Sequence, residues 1–171
     1  MKKKLIKNVI QKICDRLTGD WILIGGAVLP LLNASDRYTQ DIDLVGPKSS
    51  IQTETLALMQ IAEEEGLPIE AINQAASYFF YKIEGWEKEL KLIQKGKKAN
   101  VYRPTATLYI LLKLSRFTES DLEDCLKMIQ YAKTIKEKID QNKIKTTIQK
   151  RLQVEQEQSK IERLKKFLDL I

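Results

Sequence analysis

Two aspartates one residue apart, Asp41 and Asp43, follow a Gly25-Gly26 pair across a short polar stretch that holds Arg37 and Thr39. Side chains two apart on a strand share a face, roughly 6–7 Å from each other, so both acids project together while Ile42 and Leu44 face a core. Like charges that close raise the energy of the site until a cation sits between them, and hard carboxylate oxygens suit Mg2+ or Mn2+. The glycines supply the other half. Trp21 to Ile24 reads as a buried strand, Gly25-Gly26 as the turn ending it, and the bare amides of such a turn can approach a phosphate closely. A helix from about Ala27 to Asn33 would add its N-terminal dipole. Taken singly, a glycine pair after a strand is a tight turn and Asp-x-Asp is a solvated strand end. Their order and separation point to metal-dependent chemistry on a nucleotide.

Strand, Gly-Gly, helix, Arg37-x-Thr39 and then Asp41-Ile42-Asp43-Leu44 resembles the opening motif of the nucleotidyltransferase superfamily that includes DNA polymerase β. More narrowly, it is similar to the small prokaryotic branches typified by AbiEii-type toxins. Farther along, Tyr102-Arg103-Pro104 precedes a helix with Lys113 and Arg116, and Ser120-Asp121-Leu122-Glu123-Asp124 follows. This is similar to the downstream Lys-Asp-Leu-x-Asp motif of those relatives, with Ser120 where many of them place a basic residue. The resemblance implies transfer of a nucleoside monophosphate from an NTP to an acceptor, RNA, tRNA or protein, with release of pyrophosphate. Asp41 and Asp43 would hold the metal, Gly25 and Gly26 would admit the phosphates, and Arg37 and Thr39 would lie along them. Lys113 would pair with the triphosphate, and Asp121 or Asp124 would orient it or the acceptor. A third acid is expected on a neighbouring strand, and Glu89 is the candidate, facing the side of Lys91 and Ile93. Without a third acid the same scaffold would bind nucleotide with little or no turnover, as an antitoxin, regulator or assembly module. On the residues alone, Lys113 reads as a helix edge, and Asp121 and Asp124 as a cap and first-turn acid.

The elements that must position these groups alternate. Leu5, Ile6, Val9, Ile10, Ile13 and Leu17 recur at helical spacing and end near Thr18-Gly19, and the polar residues among them interrupt any signal-peptide core. Beyond Gly46-Pro47, Ser50 is placed to cap a helix from Gln52 to Glu65, with Leu56, Met59 and Ile61 on its apolar positions, a solvated Glu63–Glu65 run, and Gly66 as its stop. Residues 77–83, 89–95 and 99–102 read as strands, with Tyr78, Phe79, Phe80 and Tyr81 covered on both faces. From Thr105 the pattern is helical, through Leu108, Leu111, Leu112 and Phe117, then Leu122, Cys125, Leu126 and Ile129, and then a charged amphipathic tail. The fold class is α+β: a small mixed sheet with flanking helices over 1–103 and a helical extension over 104–171, packed on the core and suited to a homodimer contact.

Composition closes off other chemistries. The chain has 171 residues and no histidine, which excludes imidazole triads, His-ligated zinc and histidine acid/base work. Cys14 and Cys125 lack metal or redox spacing and read as core residues in a reducing cytosol. No stretch has the roughly 18 apolar residues of a membrane span. The net charge of +6 is uneven, with six basic residues against one acid over residues 2–16 and a Lys95-Gly96-Lys97-Lys98 loop. Such charge permits an RNA partner, but no aromatic-interleaved basic motif marks one.

Overall fold

A computed structural model of the chain describes residues 1–48, 52–75 and 77–171. Ser50, the expected helix cap, lies outside them. The chain divides into two compact units, Met1–Pro104 and Thr105–Ile171.

In the first unit, helix α1 (Lys3–Arg16) buries Ile6, Val9, Ile10, Ile13 and Cys14 on one stripe, each contributing about 1.5–3 kcal/mol when fully removed from water. Strand β1 (Gly19–Ile24) follows, buried from Trp21 to Ile24, as a continuous apolar run covered on both faces must be. A 3-10 turn (Gly25–Ala27) leads into α2 (Val28–Leu31). This helix is four residues long, shorter than the one expected to reach Asn33, because Asn33 adopts a left-handed backbone with φ 57° and the chain turns away there. Strand β2 (Ile42–Val45) runs antiparallel to β1. Helix α3 (Gln52–Glu64) stops at Gly66, whose φ of +67° suits only glycine without strain. Its buried side is Leu58, Ile61 and Ala62, whereas Leu56 and Met59 are exposed. The apolar face is therefore rotated from the one expected.

Strand β3 (Ile72–Asn73) lies parallel to β2. The strand expected at 77–83 is instead a short helix, α4 (Ser77–Phe80). Ala75 N–H donates to Asn73 Oδ1 at 3.1 Å and Ser77 N–H donates to the Gln74 carbonyl at 3.0 Å, turning the chain before it can pair. Tyr78 and Phe79 are thus two-thirds exposed, and only Phe80 reaches the core, against Trp86. The aromatic run's strand propensity loses to this turn. Strand β4 (Leu90–Lys95) begins one residue later than expected, after a 3-10 turn over Trp86–Glu89, and β5 (Ala99–Pro104) completes the sheet. The strand order is β3-β2-β1-β5-β4, with β1 and β5 parallel and β4 and β5 antiparallel. The fold is mixed α+β.

The second unit is helical: α5 (Ala106–Lys113), α6 (Glu119–Thr134), α7 (Gln141–Leu152) and α8 (Gln158–Leu170). Its core gathers Ile110, Leu114, Phe117, Leu122, Cys125, Ile144, Ile148, Leu164 and Phe167. Phe117 enters this core from the α5–α6 turn, with φ 46°, rather than from a helix. The charged tail resolves into the pair α7 and α8. Cys14 and Cys125 are both buried thiols, and burial pushes that of Cys125 well up. No described helix is long and apolar enough to cross a membrane.

Candidate active site

The site grows from the end of β1. Ile24, its last residue, pairs with Asp43 of β2, so the turn that follows must pass the Asp43 carboxylate. Gly25 does so with φ +68°, and a Cβ built on it would stand 2.0 Å from Asp43 Oδ2, closer than any real contact. Glycine is required there twice, by the backbone and by the approach. Gly26 faces the next segment: a Cβ on it would meet Thr39 Oγ1 at 3.3 Å. Thr39 Oγ1 in turn donates to the Asp41 carbonyl at 3.0 Å. The glycine turn, Thr39 and the two aspartates therefore form one contiguous corner of the first unit.

Burial along this stretch alternates as a strand edge should: Asp41 is exposed, Ile42 buried, Asp43 half-buried and Leu44 buried. Asp41 immediately precedes β2. Arg37 is exposed on the preceding segment, where its N–H donates to Ser35 Oγ at 3.1 Å.

The neighbour of Asp43 on its other side is Asn73. The two are in register on the parallel strands β2 and β3, at a strand spacing of about 4.8 Å, with side chains on one face. The position that best matches a third acid is thus occupied by a carboxamide, a residue the sequence reading did not single out. Glu89 is not on a strand: it closes the 3-10 turn before β4, and β4 lies three strands from β2, about 14 Å by strand spacing. Trp86 and Gly85, whose φ of 73° opens that turn, are what take Glu89 out of the expected strand. Among the described residues no group of three or more His, Cys, Asp or Glu is arranged to hold a metal.

The family assignment follows from sequence comparison over nearly the whole chain. A model of the family described as "Nucleotidyltransferase of unknown function (DUF6036)" matches residues 3–169. The chain belongs to that family. No curated protein and no solved structure matches it. The glycine corner with its aspartate pair is therefore read within a nucleotidyltransferase family, whose description goes no further than that class.

The downstream motif forms an ion network within the helical unit. Lys113 Nζ, at the end of α5, donates to Asp121 Oδ1 and Asp124 Oδ2, both at 2.9 Å. Arg116 grips Asp121 with Nε and Nη2 at 2.9 Å each. Thr118 caps α6, accepting from the Asp121 N–H, while its own N–H donates to Asp121 Oδ2 at 3.0 Å, a reciprocal capping box. Asp121 and Asp124 are 1% and 2% exposed at the side chain and Lys113 11%. Burial pushes the Asp121 carboxyl up, but the Arg116 bond, the charge and bond of Lys113 and the Thr118 N–H outweigh it and hold the group below the ordinary carboxylate range. Asp121 is the third residue of α6 rather than its cap, and Lys113 is a largely buried ion-pair partner rather than an exposed helix edge.

Proposed function

We propose that the protein is a metal-dependent nucleotidyltransferase that moves a nucleoside monophosphate from an NTP to an acceptor. The observation that carries this reading is the closure of the Gly25-Gly26 turn onto Asp43 and Thr39, because it leaves bare backbone beside a carboxylate pair in a family described as nucleotidyltransferases. Asp41 and Asp43, with the neutral oxygen of Asn73 as a further donor, fit a single Mg2+ or Mn2+ whose remaining positions are filled by phosphate oxygens and water. Asn73 Oδ1 already accepts from Ala75 N–H, yet a carbonyl oxygen keeps a second lone pair. Such a cation, when bound, offsets the charge on the transferred phosphoryl group.

In the reaction the acceptor hydroxyl oxygen forms a bond to the α-phosphorus. The bond from that phosphorus to the bridging oxygen breaks, pyrophosphate leaves, and the acceptor proton passes to solvent or to a nearby carboxylate. Gly25 gives the triphosphate room, both glycines offer it amide donors, and Arg37 and Thr39 line the same side. With α2 only four residues long, binding rests on the turn amides and these side chains rather than on a helix dipole.

Asn73 favours a second reading. A carboxamide cannot take the acceptor proton as a carboxylate does, so the second reading has the site hold nucleotide without efficient transfer, as in a regulator, antitoxin or assembly module. The readings separate in one assay: α-phosphate-labelled ATP, CTP, GTP and UTP, each with Mg2+ or Mn2+ and total RNA. Transfer predicts label in RNA together with released pyrophosphate, both lost in Asp41→Asn/Asp43→Asn. Nucleotide bound without release of pyrophosphate favours the second reading.

A further inference from the structure

A groove of about 420 Å3 lies between the start of α1 and segment 30–38, lined among others by Lys2, Lys3, Asp36, Arg37 and Tyr38, and Met1 in its wall donates to the Thr39 carbonyl of the glycine corner. A second groove of about 380 Å3 continues from it, with Lys2, Lys4 and Tyr38 in its walls. Tyr38 lines both and is 67% exposed, so its ring is open to stacking. Four cationic side chains, Lys2, Lys3, Lys4 and Arg37, and one acidic side chain, Asp36, line the two grooves. Lys3 Nζ ties the two walls together through Asn33 Oδ1 at 2.8 Å. Tyr38 precedes Asp41 by three residues, a backbone reach of at most about 11 Å.

We propose that this double groove binds a single-stranded polynucleotide, with an unpaired base on Tyr38 and its backbone phosphates along Lys2, Lys3, Lys4 and Arg37. An exposed ring flanked by cations is the combination that single strands use: stacking is available to any unpaired base, and the cations track the backbone. The placement deepens the proposed transfer and rests on it for one point, that the bound strand is the acceptor. A strand lying over Tyr38 ends within a nucleotide or two of the Asp41–Asp43 edge, where its terminal hydroxyl would face the α-phosphorus.

The test is fluorescence anisotropy with labelled 12-nucleotide RNA and DNA single strands and a 12-base-pair duplex, over a salt series. At least one single strand should bind, more tightly than the duplex. The slope of log K against log salt should be near −3, from about 0.7 per phosphate contacted by four cations. Tyr38→Ala should weaken binding about tenfold at unchanged slope. Lys2→Ala/Lys4→Ala should make the slope shallower by about 1.4. The titration is run without NTP or divalent metal, so failure of the groove and failure of the transferase reading are seen separately. No binding of either single strand at low salt, equal binding of the duplex, or wild-type behaviour of both groove variants would overturn the proposal.

Discussion

At Gly25 a methyl group has two separable effects. The left-handed backbone costs a non-glycine residue about 1–2 kcal/mol, and the new Cβ would overlap the Asp43 carboxylate. Gly25→Ala is therefore expected to lower the melting temperature modestly while weakening metal-dependent NTP binding by more than tenfold, read by thermal melts and calorimetry on the same preparation. Gly26→Ala meets only Thr39 Oγ1, at a tight but adjustable 3.3 Å, and should keep most of both. Asn73 offers the converse experiment. Asn73→Asp sets a second carboxylate in register with Asp43, so like-charge repulsion should destabilise the metal-free protein. Added Mg2+ should restore that loss, and turnover should rise about 100-fold if proton removal from the acceptor limits transfer. Stability that is indifferent to Mg2+ in this variant would mean that Asn73 does not face the cation.

At the scale of the elements, two ion networks, one buried and one exposed, depend on pH in the same direction. In the helical unit, Lys113 at the end of α5 is fixed by Asp121 and Asp124 of α6, and Arg116 and Thr118 close around Asp121. Removing Asp121 leaves Lys113 with Asp124 alone and undoes the α6 capping box, so Asp121→Ala is expected to cost about 2–3 kcal/mol in denaturant melts. Because the folded-state Asp121 carboxyl titrates below its ordinary 3.8, its contribution is present above that pH and is lost as pH falls through the folded value. The α1–α3 network has the same sign. Arg16 and Lys12 hold Glu64 at about 2, down from 4.5, so the stability it adds is full above pH 4.5 and disappears between 4.5 and 2. Glu64→Gln should flatten the acid limb of a pH–stability curve over that window. This pair is exposed, so the change should be small beside that of Asp121→Ala.

Across the whole molecule, what could be read from the sequence is what local chemistry decides. The amphipathic stripe of α1, the buried run of β1 and the Gly66 stop all follow from spacing, because periodicity and backbone conformation are local, whereas the approach of Gly25 to Asp43 depends on the pairing of β1 with β2. Residues 77–83 were legible only as a strand, since nothing local announces that an Asn73 turn will stop the chain from pairing. Glu89 was misplaced for a related reason: which strand neighbours β2 is a matter of topology, and a two-residue strand such as Ile72–Asn73 is too short to leave a pattern. Tyr38 and its cations escaped because the groove is assembled from segments about 30 residues apart in the chain. The central claim is that the glycine turn and the aspartate pair form one metal-dependent nucleotide site. Its most direct test is calorimetric titration of ATP, CTP, GTP and UTP, with and without Mg2+ or Mn2+, into the wild type and Asp41→Ala/Asp43→Ala. The account predicts binding that requires the cation and is absent in the double variant; binding of equal strength in both proteins, or none by the wild type with any NTP, would contradict it.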